Sequence, residues 1–169
     1  MWMHDPTGIY FVKSGYNTLK IWQTQQTNYP STSSVETLIW KKIWSLHTIP
    51  RHKVLLWRIL NNSLPVRSAL SKRGIQCYPL CPRCHSKIET ITHLFMTCPI
   101  SKRVWFGSNL SINFDNFPNP NFTNWLCEAI LHKDECIIIQ IAAIICNLWH
   151  ARNLSIFEDQ MILEMDIIQ

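Results

Sequence analysis

Residues 81–98 read CPRCHSKIETITHLFMTC, with three cysteines and two histidines inside eighteen positions. No other stretch constrains the fold as tightly, because the ligands of one metal ion must meet in space however the rest of the chain runs. Cys81 and Cys84 stand at the C-x2-C spacing with which a tight turn presents two thiolates to one ion. His93 and then Cys98 follow, placed to reach the same ion from a turn or the start of a helix. Three thiolates and one imidazole satisfy the tetrahedron that Zn²⁺ favours and leave no position open for water. With the ion the set carries a charge of −1, which Arg83, Lys87, Lys102 and Arg103 are near enough to offset. Two rival sets stay open, one with Cys77 in place of His93 and one with His85 in place of Cys84. The plain alternative is a turn with two coincidental cysteines beside a core histidine. Cys127, Cys136 and Cys146 fall on apolar helical stretches and read as small hydrophobes. A closed site argues against catalysis at the metal, and Glu89 is the only acid near enough to serve as a general acid. No catalytic residue is expected.

The charge is unevenly spread. From Lys41 to Arg103 there are twelve Lys and Arg and one acid, Glu89, a balance of +11; the remainder carries four basic and ten acidic residues, a balance of −6. A basic middle between acidic ends suits a polyanion, although helices with solvated faces produce the same count. The residues from which phosphate contacts are expected are Lys41, Lys42, Arg51, Lys53, Arg67, Lys72, Arg73, Arg83 and Lys87. The eight Trp mostly stand at helical spacing among aliphatic residues, which reads as core rather than as platforms for bases.

Hydrophobic content of 47% and a length of 169 residues allow a real core, and only four Gly disfavour a loop-rich or phosphate-cradling design. The periodicity predicts a mainly α fold: a small helical domain with one zinc knuckle-like segment and room for a short N-terminal hairpin. Residues 1–34 read as that hairpin, or a strand over GIYFVK followed by a helix capped by Ser14, and then a polar linker. Residues 35–107 form the basic zinc-binding core, with helices over about 35–47, 52–62, 65–74 and 100–107. Residues 108–121 read as a loop, and 122–169 as a helical pair, 122–132 and 134–159, the second extending toward the end. The apolar run from Cys136 to Trp149 is too short to span a bilayer and reads as a buried helix. The N-terminus lacks the apolar stretch of a signal peptide. The chain is therefore expected inside the cell, in nucleus or cytoplasm, with reduced thiols and no membrane partner.

The order IWKKIWSLHTIPRHKVLLWRILNNSLPVRSALSKRGI, CPRC, ETITHLFMTCPISKRVW resembles the zinc-binding domain that follows the reverse transcriptase in plant LINE-type non-LTR retrotransposons. The flanks GIYFVKSGYNTL and LWHARNLSIFED are also similar, so the likeness runs over about residues 2–158. It implies Cys81, Cys84, His93 and Cys98 as the zinc ligands. It further implies a reverse transcriptase or ribonuclease H domain as neighbour in a parent polyprotein, and RNA or DNA as partner. The chain itself shows no paired-Asp polymerase motif and no acidic cluster spaced for two-metal nuclease work, as a detached or truncated piece of such an element would. Two readings follow: an accessory module that binds nucleic acid non-specifically, or a connector in which zinc is purely structural and apolar helices pack on an absent domain.

Overall fold

Ile138, Ile141, Ala142, Ile145, Leu148 and Ala151 repeat at three- and four-residue intervals, so on a helix they form one continuous stripe. All six are buried, and the helix that carries them, Glu135–Phe157, is the axis on which the protein is built. A computed structural model describes residues 12, 14, 34–115, 117 and 120–168. By contacts the chain divides into a unit over Leu38–Gln169 and another over Met1–Thr37. In the second unit Val12 and Ser14 have helical backbone, which corrects the strand expected at Val12. The remainder of the N-terminal expectation, hairpin included, lies outside the described residues.

The elements in chain order are α1 (Ser34–Ser45), α2 (Pro50–Leu60), α3 (Arg67–Lys72), a π-helical turn (His93–Thr97), α4 (Pro99–Gly107), α5 (Phe122–His132), α6 (Glu135–Phe157) and α7 (Glu164–Ile168). The fold is mainly helical, as expected, and the only β pairing among the described residues is one antiparallel bridge, Leu80 to Ile88. Pro50 falls in the gap left between the helices expected over 35–47 and 52–62. It is the first residue of α2, where a missing N–H costs nothing and the fixed φ suits the helix. Gly74 ends α3 with φ +80°, a left-handed conformation open to glycine. The closing helix does not run to the end: it stops at Phe157, Asp159 takes φ +52°, and α7 starts afresh.

One core joins these helices. Ile39, Ile43, Leu56 and Ile59 from α1 and α2 meet the α6 stripe, with Leu126 and Ile130 from α5. α2 is less central than its composition suggests, since Val54 and Trp57 are about 40% exposed while Leu55, Leu56 and Ile59 are buried. Aromatic rings fill one end. Trp105 of α4 packs edge-on against Phe114 and Trp125 at 5.6 Å between centroids, and Phe122 stacks on Phe95 at 5.2 Å. Phe114 anchors the 108–121 loop in this cluster. α6 is long and apolar enough to cross a bilayer, unlike the shorter run expected, but half of its most apolar window is buried inside this protein. It is the core helix.

Candidate metal centre

The segment before the site is a turn closed on itself. Cys81 N–H donates to Lys87 O at 2.8 Å, and His85 N–H to Cys81 O at 2.9 Å. His85 takes φ +53° to let the chain reverse. The Leu80–Ile88 bridge completes a minimal hairpin with Cys81 and Cys84 at its tip. The other two residues come from a different device. On an α-helix, positions five apart are about 140° apart around the axis, so His93 and Cys98 would diverge. Here the chain widens to a π turn, and Cys98 N–H donates to His93 O, five residues back, at 2.8 Å. That wider turn brings the imidazole and the thiol to one side.

The ligand atoms of Cys81, Cys84, His93 and Cys98 all lie within 4.8 Å of one another. Sulfurs bound 2.3 Å from one zinc in a tetrahedron stand about 3.8 Å apart, so the four need contract by only about 1 Å. Cys81, His93 and Cys98 are buried and Cys84 is half-buried. Cys84 Sγ and His93 Nε2 are 3.2 Å apart, so Nε2 faces the thiols, while Thr97 Oγ1 lies 3.3 Å from Nδ1 on the far side of the ring. A hydrogen bond at the second nitrogen sets the tautomer and orientation of a ligating imidazole. Thr90 Oγ1 accepts His93 N–H at 2.9 Å and starts the turn. Cys77 points to Arg67 O at 3.6 Å and His85 is exposed, and neither shares the cluster, so both rival sets fall away.

Proton affinities show four groups competing for the same small space. Hydrogen bonding to Cys98, with burial, pushes the Cys81 thiol up to about 12. Cys98 is pulled down by that Cys81 hydrogen bond and by the N–H groups of Ser101 and Ile100, which open the first turn of α4, against the effect of burial. Burial opposes the Cys84 thiolate, yet the Ser86 hydroxyl and N–H, with His93, leave it lowered. Burial likewise acts to lower His93, but Cys81 and Cys84 outweigh it and raise it. A divalent cation bound among these atoms replaces the shared protons, and three thiolates with one imidazole are the donor set zinc takes. Arg83 supports the fit. It is 5% exposed, its charge acts on Cys98 and Cys81, and its Nε–H finds no acceptor among the described residues. Of the other cations expected to offset the site, Lys102 is engaged with Asp115 and Arg103 with Glu164, and Lys87 is exposed.

Glu89, considered as a general acid, is fully buried and has a different task. Its carboxylate accepts Arg152 Nε at 2.8 Å and Nη2 at 2.7 Å, and also Arg67 N–H at 2.7 Å. Arg152 spends a further N–H on Pro65 O at 3.3 Å and lies 4.7 Å over the Trp149 ring. The end of the hairpin is thus tied to α3 and α6 together. Sequence reasoning missed Arg152, Thr90 and Thr97. The one available signal was that Glu89 is the sole acid in a span of twelve cations.

The basic residues separate into two groups. Lys42 Nζ donates to Leu131 O and Lys133 O at the end of α5, Lys53 Nζ to Trp44 O at the end of α1, and Arg67 Nη1 to Leu80 O. Arg83 is turned inward, its Nη2 on Ile162 O at 3.1 Å, which corrects its expected place as an outward phosphate contact. Lys41, Arg51, Lys72, Arg73 and Lys87 are exposed. Lys72 and Arg73 flank an open groove of about 580 Å³ shared with Thr90 and Asn121. Cys136 is also exposed, contrary to its reading as a core hydrophobe, whereas Cys146 is buried.

A helical module in which a hairpin and a π turn converge three thiols and one imidazole is a zinc-binding protein of the closed-site kind. The family described as zinc-binding in reverse transcriptase matches residues 10–105, and the chain belongs to it. No curated protein and no solved structure matches this chain.

Proposed function

We propose that this chain is an accessory module of a reverse-transcribing element, folded by one zinc ion on Cys81, Cys84, His93 and Cys98, that binds RNA or DNA without sequence preference beside a polymerase or ribonuclease H domain inside the cell. The observation that supports it most is the fate of charge between Lys41 and Arg103. Its one acid is buried and neutralised by Arg152 from outside the span, while Lys41, Arg51, Lys72, Arg73 and Lys87 stay exposed. What that span offers to solvent is therefore almost wholly positive, the footprint of phosphate binding. Zinc acts as a Lewis acid that crosslinks the hairpin to the π turn; with four protein ligands it keeps no position for a substrate.

Two measurements test this. Metal analysis of the purified chain is expected to return one zinc per molecule, and Cys98→Ser or His93→Ala to lose most of it. Full stoichiometry in both variants rejects the ligand set. Fluorescence anisotropy with single-stranded RNA and DNA is expected to show binding that weakens steeply between low and moderate salt as counterions are released. No binding at low salt rejects the nucleic-acid role.

A second reading has its own support. Trp44, Trp57 and Phe106 are 50%, 40% and 66% exposed, more apolar surface than a lone module needs. On that reading the helices pack on a neighbouring domain and zinc serves the fold alone. Retention of a co-expressed polymerase domain by a chain that binds no nucleic acid identifies it.

A further inference from the structure

Arg51, Val54, Leu55 and Arg58 stand at positions i, i+3, i+4 and i+7 of α2 and share one face. Cys146, Trp149, His150 and Asn153 repeat that spacing on α6. The two helices pack together, and a groove of about 390 Å³ runs between the two stripes. None of the residues lining it is acidic. Arg51, Arg58 and His150 are exposed and Trp149 is half-buried. Arg152, itself buried, lies over the Trp149 ring at 4.7 Å, and its Nη1 donates to Asn153 Oδ1 at 3.1 Å, which leaves the Asn153 amide N–H₂ as a donor.

We propose that this groove is a binding site for single-stranded nucleic acid, with phosphates on Arg51 and Arg58 and an unpaired base against Trp149. The inference rests on the nucleic-acid reading above and gives it a location. Arg58, Trp149, His150 and Asn153 were not among the contacts expected from the sequence. Two arginines seven residues apart are about 10.5 Å apart along the helix, a spacing for two separate phosphates of one strand rather than one small anion. Cationic walls with an aromatic ring between them are the general means of holding an unpaired strand, because every base has a face to stack. A duplex keeps its bases stacked inward and cannot offer one to Trp149. An acidic peptide satisfies the arginines but has no use for the indole.

The test uses the full zinc-loaded chain and a 5-iodouracil-containing 12-mer, as RNA and as DNA. Irradiation is expected to crosslink the peptide containing Trp149. In anisotropy, Arg51→Ala/Arg58→Ala is expected to weaken binding about tenfold or more and to flatten the slope of log affinity against log salt by about 1.4, the value for two phosphate contacts to a single strand. Trp149→Phe keeps most of the affinity, and Lys133→Ala, an exposed lysine outside the groove, stays within about twofold of wild type. Crosslinks elsewhere together with unchanged binding by the double-arginine variant overturn the groove and leave the nucleic-acid function standing. Equal binding of the duplex, or displacement of the strand by polyglutamate as readily as by unlabelled RNA, also overturns it. Absence of any binding by the wild-type chain overturns the functional reading itself.

Discussion

Glu89 and Arg152 are 63 residues apart in sequence and meet at 2.7 and 2.8 Å in a site with 0% and 4% side-chain exposure. Both charges have left water, and each is tolerated because the other, together with the Arg67 N–H and Pro65 O, completes its hydrogen bonds. Glu89→Leu leaves a guanidinium buried without a counter-charge and is expected to cost about 3–5 kcal/mol in denaturant unfolding. Glu89→Leu/Arg152→Met removes both charges and is expected to recover much of that loss; equal destabilisation in single and double variants means the pair is not coupled. A more exposed pair acts by direction alone. The Arg103 guanidinium, hydrogen-bonded to Glu164, holds that carboxyl below the usual glutamate range. A depressed folded-state value favours the folded state above the ordinary glutamate pKa, and that contribution fades as pH falls through the lowered one. Arg103→Ala is expected to raise the Glu164 titration midpoint, read by carboxyl NMR, and to speed amide exchange across α7.

At the scale of elements, the π turn is what allows a ligand pair spaced by five. Inserting one alanine after Met96 lengthens the His93–Cys98 interval to six, which turns imidazole and thiol well apart around an α or a π turn alike. Zinc affinity, measured against a chromophoric chelator, is expected to fall by at least tenfold; an unchanged affinity shows that the wide turn is incidental to the site. The end of α3 offers a quieter test. A Cβ on Gly74 meets nothing within 4 Å, so the cost of Gly74→Ala comes from its φ of +80° alone. It is expected to be about 1 kcal/mol by denaturation, and a stabilised variant refutes the account.

For the molecule as a whole, a sequence with so many ligands and so few helical stretches between Cys77 and Ile100 suggests a segment held by zinc alone. In the structure, however, Leu94, Phe95 and Met96, between the two ligands of the π turn, are at most 1% exposed, and Trp105 Nε1 donates to Phe95 O at 2.6 Å. A structural zinc site contributes on the order of 10 kcal/mol to the fold it crosslinks, comparable with the whole stability of a domain this size. Chelation is therefore expected to loosen the aromatic cluster with the hairpin, with loss of near-UV circular dichroism and red-shifted Trp emission. Chelated protein whose near-UV signal is intact shows instead that the metal segment unfolds without the core.

The ligand set, the mainly helical class and the helix stops at Gly74 and Gly107 were legible in the sequence, because each depends on short-range chemistry. Thiol and imidazole spacing bounds a metal site, apolar periodicity marks a helix face, and proline and glycine carry their backbone limits wherever they stand. The burial of Glu89, the inward turn of Arg83 and the diversion of Lys42 and Lys53 to helix-end carbonyls were not legible. A charged residue reads the same in sequence whether water or a partner dozens of positions away solvates it. Only the packing of the helices and the hairpin on one another decided which cations were consumed inside the fold and which were left facing solvent.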